Sequence, residues 1–540
     1  MQFVDLLRKP DFVYGATDAS DLRFEENDNG VDCPVQYEYK VEKDSAKIIV
    51  YPSGSPVKYL KFRFCGDLSF VDKVYGDQFE RQSFKAYLEW RSVMGSRILP
   101  WFCYVIGNKQ MACYGVKTGC DCFAMFQVDT HGVTLFLNLC NGNEGTDLQE
   151  PLLACEVVQL FGAEGADEYD IAKVFAKKMC DNPVLPQEPI FGVNNWYWAY
   201  SHISFESVLQ ESEYLKEMTT GCKHRACMII DDGWQKNRIA GRGQYIGGEW
   251  EANDRFKDMG KMAEEIRKRG QKAGLWFRPL LTRDALPKNV AYTDYDMGVV
   301  MDPSHPYTLE RVYKDAKKIR SWGYEVIKHD FTTLDITGLA LTAESHDYLL
   351  CKEGYRFFDK TKTTATIMKN LYKAIQNGAG DADVIGCNVI GHLSAGIHSV
   401  QRTGNDSSGH AFEMTRRHSV NAVMRLPMNN TFFNVDPDCA AFTEFVQADI
   451  NLDFLEMCAL TGMTTLASVT PGILKDDEMR RINEIYKMAD SGKCEYGIVN
   501  FAKTANPEIF ISKDKKTVRA FDWSKAYNGA RIVVSRDYPL

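Results

Sequence analysis

The chain changes rhythm twice. Up to about residue 165, segments such as VQYEYKVEKDSAKIIVYPSG, VKYLKFRF, FAMFQVD and GVTLFLNL alternate apolar and polar positions or run apolar between Gly, Asn and Asp turns. Strands in series, with no long helical stripe between them, predict a β-sandwich. EYDIAKVFAKKM at Glu168–Met179 then has helical spacing, and the DNPVLPQEP that follows reads as a boundary. From Ile190 strand and helix alternate. ACMIIDDGW (226–234) is an apolar run ending in acids. Phe256, Met259, Met262, Ala263 and Ile266 recur at helical spacing, with Gly270 where a C-cap belongs. KAGLWFRPL (272–280) is the next strand, and Leu309, Val312, Ala316 and Ile319 form the next helical stripe, closed by Gly323. YEVIKHDF (324–331) follows as strand, then a helix through Ile367, Leu371 and Ile375 read as ending at Gly378, then DVIGCNV. Such alternation predicts a parallel (β/α)8 barrel rather than a doubly wound sheet, because no Gly-rich phosphate loop follows the first strand. CEYGIVNFAK, PEIFISKD, TVRAFDWS and ARIVVSRD at the end return to short strands. The expected division is a β-sandwich over 1–165, a helical linker over 166–190, the barrel over 191–490 and a short antiparallel β segment over 491–540.

Composition narrows what this frame can do. At 540 residues, 45% hydrophobic and 25% charged, the chain can bury a core and form two or three domains. A net charge of -9 with no Lys/Arg block argues against nucleic acid or an anionic membrane as partner. No apolar run approaches the ~18 residues that span a bilayer. Aromatics reach 12%, which suits stacking on sugar faces but also suits filling a large core. Sixteen cysteines, spread from Cys33 to Cys494 without a repeated zinc spacing, read as reduced thiols. With no apolar signal core in MQFVDLLRKPDF, they point to a cytoplasmic protein.

In a barrel, chemistry sits at the C-terminal ends of strands. Candidate strands here end in Asp231-Asp232, in Lys328-His329-Asp330, in Arg402 through Asp406, and in Asp436-Pro437-Asp438. One Asp in such a loop is more often a helix cap or turn residue. Four acidic strand ends together point to function. Period 2 puts Val326, Lys328 and Asp330 on one face, so a cation and a carboxylate stand together at the barrel mouth. A self-satisfied ion pair is the bland alternative, but burying it costs desolvation that a substrate would offset. The lysine would also keep the carboxylate ionised, as a nucleophile requires. His329 faces the other way and reads as a packing residue.

Taken in order, DDGWQ (231–235), GLWFRP (274–279), KHD (328–330), RTGND (402–406) and NVDPDC (434–439) resemble glycoside hydrolase family 36 and its clan relatives. These are mainly α-galactosidases, with α-N-acetylgalactosaminidases among them. The resemblance covers roughly 190–490 and implies retaining hydrolysis of terminal α-galactosides on a glycoside or oligosaccharide substrate, with no metal and no cofactor. Asp330 matches the family's nucleophile and Asp406 its acid/base. Lys328, Asp231 and Asp232 match residues that hold the sugar hydroxyls, the acids at O4 and O6. Trp196, in GVNNW, matches an aromatic wall of the sugar subsite, joined by Trp276. Arg402 and Asp438 match a charged pair near O2, and Cys387 falls where a cysteine lines the O2 side. The chain departs from the pattern at His329, where Trp is commoner, at Arg278, where many members are acidic, and in GCNVIGHLSAGIHSVQ (386–401), which lacks the usual glycine run.

These departures leave the substrate open between α-galactose and α-N-acetylgalactosamine, and between hydrolysis and transglycosylation of the raffinose-synthase kind. Outside the resemblance stand a sugar-binding protein without activity and a metal-dependent barrel hydrolase that would use Asp231, Asp232, His329 and Asp330 as ligands. Against the latter, adjacent strand residues face opposite ways. A homo-oligomer is compatible with everything in the sequence.

Overall fold

The computed structural model describes residues 2–16, 35–80, 85–87, 98–236, 250–295, 298–338, 355–504 and 507–521. The N-terminal part is two antiparallel sheets. One runs in the order Phe12–Ala16, Tyr59–Cys65, Gly132–Asn138, Phe123–Asp129, Leu99–Pro100. The other runs Tyr37–Val41, Ala46–Val50, Leu152–Phe161, Gln110–Val116, Phe102–Gly107, Val71–Gly76, Lys85–Tyr87. They meet where Tyr37 and Tyr39 pack on Phe62, with ring centroids 5.6 and 5.5 Å apart. Ala46–Val50 alternates buried and half-buried positions, as a strand with one wet face does, whereas Phe102–Gly107 is buried throughout. The reason is the helix Glu168–Met179, capped by the Asp167 side chain, which covers the second face. A Cβ on Gly115 would lie 2.9 Å from the Met179 sulfur, so only glycine fits beneath it.

The barrel follows. Its strands are β1 (Phe191–Asn194), β2 (Cys227–Ile230), β3 (Lys272–Phe277), β4 (Val326–His329), β5 (Asp383–Gly386), β6 (Val400–Arg402), β7 (Asn434–Asp436), β8 (Cys439–Phe442) and β9 (Thr465–Val469). Most are short apolar runs, because helices cover one face and the barrel core the other. Neighbours pair parallel in the order β7-β6-β5-β4-β3-β2-β1-β9-β8. The two ends of this order, β7 and β8, are consecutive in the chain, separated by Pro437 and Asp438. They are two halves of one barrel strand, and through them the sheet closes. The stretch 436–438, which reads in the sequence as a strand end, is therefore a break inside a strand that continues to Phe442. Proline cannot donate to the ladder, and Asp438 turns left-handed at φ 72°.

The sandwich is bound to the barrel beside the C-terminal ends of its strands. Asp77 accepts from Arg425 Nε at 2.9 Å and Nη2 at 2.5 Å, and Trp101 stacks on His392 at 4.8 Å. A small antiparallel sheet, Leu281–Thr282, Ala291–Tyr295 and Gly298–Met301, is inserted after β3, and another, Tyr496–Ile498, Ile509–Ser512 and Val518–Ala520, follows the barrel. The segment ARIVVSRD, expected as strand, lies outside the described residues. Among the described residues no helix is long and apolar enough to cross a membrane.

One expected helix end is not an end. Gly378 lies inside the helix Thr364–Ala379, which stops at Gly380 with φ 64°. Gly378 is small because helix Pro306–Ser321 presses on it: a Cβ there would lie 2.3 Å from the Tyr313 carbonyl oxygen and 2.9 Å from Ala316 Cβ. Alanine's helix propensity alone would favour Gly378→Ala by ~1 kcal/mol. Overpacking of ~1–3 kcal/mol should win, so urea unfolding of this variant should show a net loss of stability.

Candidate active site at the C-terminal end of the barrel

The floor of the site comes from β1, β2 and β4. Asp231 and Asp232 follow β2 and are both buried. Asp231 Oδ2 accepts from Lys328 Nζ and from Asn194 Nδ2, each at 2.7 Å, while Oδ1 accepts the Asp232 N–H at 2.9 Å. The Asp231 N–H donates to Asn195 Oδ1 at 2.9 Å, and Gln235 Nε2 donates to Asp232 Oδ1 at 2.6 Å. Burial works against the charge on Lys328, but Asp231 outweighs it and holds the ammonium well above its ordinary range. The lysine's direct partner is thus Asp231, not the Asp330 two residues on, which corrects the expected pairing. Lys328 points inward with β4's alternate positions, and the nearest inward carboxylate across β3 is on β2.

Asp330 caps β4 and is half-buried. Its Oδ2 faces Trp276 Nε1 at 3.3 Å, and its Oδ1 accepts the Phe331 N–H at 2.7 Å. Trp276 is the register neighbour of Lys328, so its indole also points inward, and its carbonyl accepts from Trp234 Nε1 at 2.9 Å. Trp196, half-buried after β1, packs edge-on to Tyr200 at 5.5 Å. Both tryptophans stand at the same barrel end as Asp330.

The third wall is built on Arg402, the last residue of β6. Its Nη2 reaches Asp438 Oδ2 at 3.0 Å and Asp406 Oδ1 at 3.1 Å, and its Nη1 lies 3.3 Å from Cys387 Sγ at the end of β5. Asp438 Oδ2 also accepts the Ser407 N–H at 2.8 Å and the Tyr197 hydroxyl. Burial, with Asp406 and Asp438 nearby, pushes the Tyr197 hydroxyl far up, which keeps it protonated as a donor. Burial also pushes the Asp436 carboxyl up to about 6, against the pull of Arg402. Asp406, by contrast, keeps 51% of its side-chain surface open.

All ten residues singled out in the sequence therefore stand around one end of the barrel, the end at which parallel strands place their C-termini. The contacts above join them into a floor and a wall, with Asp330 and Asp406 the more open of the acids. Asn194, Asn195 and Tyr197 were missed, although an Asn pair ending a buried apolar strand in GVNNWYW was a usable signal. His329 faces away: its Nε2 lies 3.2 Å from His398 Nε2, and burial lowers its pKa to about 3. The ligand set of the metal reading, which needed His329 beside Asp231, does not converge. Among the described residues no group of three or more His, Cys, Asp or Glu comes together as a metal cage.

No protein-family model matches the sequence, and no curated protein matches it. Solved structures do match. An α-galactosidase from Thermus thermophilus, in complex with p-nitrophenyl α-D-galactopyranoside, superposes with a TM-score of 0.59 at 16% identity, over 90% of this chain and 96% of that one. The chain has the fold of the family 36 α-galactosidases. A family 36 α-galactosidase from Geobacillus stearothermophilus aligns over 93% of this chain and 81% of its own, with TM-score 0.59 and 12% identity. Another from the same organism, solved with raffinose, gives 0.58 at 12% identity over 89% and 71%. The family 36 fold accounts for the architecture, with the sandwich leading into the barrel.

Behind the floor lies a buried acid that the fold must keep neutral. Glu211, on the helix Phe205–Met218, accepts from Trp198 Nε1 at 3.0 Å and lies against Asn195, the residue that holds the Asp231 amide. Burial raises its pKa from 4.5 to about 8. A raised folded-state pKa means the folded chain binds this proton more tightly than the unfolded chain. Its contribution to stability is full below about 4.5 and is lost as pH climbs to about 8. Glu211→Gln should remove that loss: the melting temperature of the wild type should fall relative to the variant across this window and run parallel to it below.

Proposed function

We propose that the chain is a retaining exo-α-galactosidase. One observation carries the reading: a half-buried carboxylate, Asp330, is aimed by an indole and an amide, while an open one, Asp406, leans on Arg402 at the same barrel end. Asp330, held in place, attacks the anomeric carbon as Asp406 protonates the departing oxygen. Asp406 then takes a proton from water, which releases the sugar from Asp330 with the original anomeric configuration. The buried floor of Asp231, Asp232 and Lys328 closes one side, so a terminal sugar enters and a chain interior does not. Trp196 and Trp276 offer apolar faces to the ring. The galactosidase fold and the bound galactosides of its structural neighbours support this choice of sugar.

The floor acids accept hydrogen bonds from the sugar's O4 and O6, so p-nitrophenyl α-galactoside should be cleaved with kcat/KM at least ~10²-fold above the α-glucoside. Equal rates would sink the galactose assignment, and a preference for the α-N-acetylgalactosaminide would move it to that sugar. The two acids should fail differently. Asp330→Asn should abolish turnover of every substrate. Asp406→Asn should still react in the first step with an activated aryl galactoside and then stall, because the base for water is gone. Azide needs no base. It should restore turnover of Asp406→Asn and yield β-galactosyl azide, detected by NMR. Azide rescue of Asp330→Asn with an inverted product would show the roles to be reversed.

A further inference from the structure

Arg278, the position where the chain departs from the acidic residue common in family 36, has no part in the reaction described so far. It follows β3 directly and is buried. Its Nε and Nη2 donate to the two oxygens of Asp335 at 2.9 and 2.5 Å, and Asp335 is fully buried in the short helix Thr332–Thr337. The guanidinium carbon also lies 4.2 Å from the centroid of the Phe331 ring. Phe331 has φ 62° and ψ -2°, a left-handed conformation that bulky residues rarely adopt. It is the residue after Asp330, and its N–H, in the peptide plane that joins the two residues, donates to Asp330 Oδ1 at 2.7 Å, while its left-handed φ turns the chain directly into the helix Thr332–Thr337. On the other side the Asp330 N–H donates to the carbonyl of Phe277, the residue before Arg278, at 3.1 Å.

We propose that Arg278 is a positioning residue: clamped to Asp335, it holds the Phe331 ring and so keeps the strained backbone that aims the Asp330 carboxylate. A strained residue persists only where its surroundings over-determine it, and Arg278 supplies that here from two directions. Its planar fork pins the helix that starts at Thr332, and its flat face lies on the ring. Lysine could do neither. The arginine also offsets the charge of Asp335, whose carboxyl is pushed up by burial and, to a smaller extent, by the nearby Asp330. The inference rests on Asp330 being the nucleophile.

The test compares Arg278→Met, Phe331→Ala, Phe331→Gly and the Arg278→Met/Phe331→Gly double variant, each with kcat, KM and melting temperature measured on p-nitrophenyl α-galactoside. Misplacing a nucleophile by a fraction of an ångström should cut kcat by about 10- to 100-fold in Arg278→Met and Phe331→Ala, with KM within about three-fold. Glycine adopts the left-handed conformation without penalty, so Phe331→Gly should keep kcat within about three-fold of wild type. In that background Arg278→Met should cost little more. A purely structural role predicts instead lower melting temperatures with unchanged kcat, and rescue by glycine would not occur. If Phe331→Gly is as poor as Phe331→Ala, or Arg278→Met costs the same in both backgrounds, the proposal is overturned while the reading of the site stands. Should Arg278→Met not fold, the alanine and glycine variants decide the matter alone. A wild-type chain that cleaves no aryl glycoside overturns both the reading and this inference.

Discussion

Pro437 interrupts the strand through which the barrel closes, and the functional end of the molecule is arranged around that interruption. The half before it pairs with β6 and the half after it with β9. Between them Asp438 leaves the strand conformation and gathers donors from three separate stretches of chain: Arg402 at the end of β6, the Ser407 amide in the loop beyond it, and the Tyr197 hydroxyl after β1. The break through which the barrel closes thus also supplies the acid around which this wall of the site is built. The arrangement is also stringent, since taking one partner from a buried ion pair leaves the other charge stranded, at a cost of about 3–5 kcal/mol.

Lys328 with Asp231, Arg402 with Asp438 and Arg278 with Asp335 form three buried ion pairs around the barrel mouth. Apolar residues of similar volume would serve stability as well or better. What the pairs supply is a set of fixed dipoles in a region of low dielectric, each held by further hydrogen bonds. Such preorganised charge needs no rearrangement when a transition state develops its own. Asp330 and Asp406 differ from the paired acids in kind. One is half-buried and held by neutral donors, the other is open to solvent while touching a shared arginine. The two carboxylates thus stand in different surroundings at the same end of the barrel.

Much of this was legible in the sequence because it depends on local pattern. Apolar runs ended by acids gave the strand ends, and glycine after helical stripes gave two of the three helix ends. Alternation along β4 separated His329 from its neighbours. What escaped detection depends on contacts distant in sequence. Gly378 looks like a terminator in one dimension and is a point of helix-helix contact in three. Lys328 and Asp330 are close in sequence, yet the lysine's partner is 97 positions away on β2. The Asp436-Pro437-Asp438 run marks a turn by its composition, and composition cannot tell a turn that ends a strand from one that splits it. The sheet inserted after β3 pairs strands only two to five residues long, too short for alternation to register.

His329 shows how such an unfamiliar residue can be accommodated without disturbing the site. A tryptophan is commoner there in the family the chain resembles, and an outward side chain at this position must fill space between β4 and the helix Thr364–Ala379. In this chain the space is shared by His329, His398 and Tyr372, with ring centroids 5.0 to 6.3 Å apart. Gln376 Oε1 lies 3.2 Å from His398 Nδ1 and accepts its N–H, which leaves His398 Nε2 as the acceptor for His329 Nε2–H. Burial drives both imidazoles down, so the pair stays neutral. Two small polar rings joined by a hydrogen bond thus occupy the place of one large apolar ring. They anchor the outward face of β4, and period 2 then directs Lys328 and Asp330 to the inside.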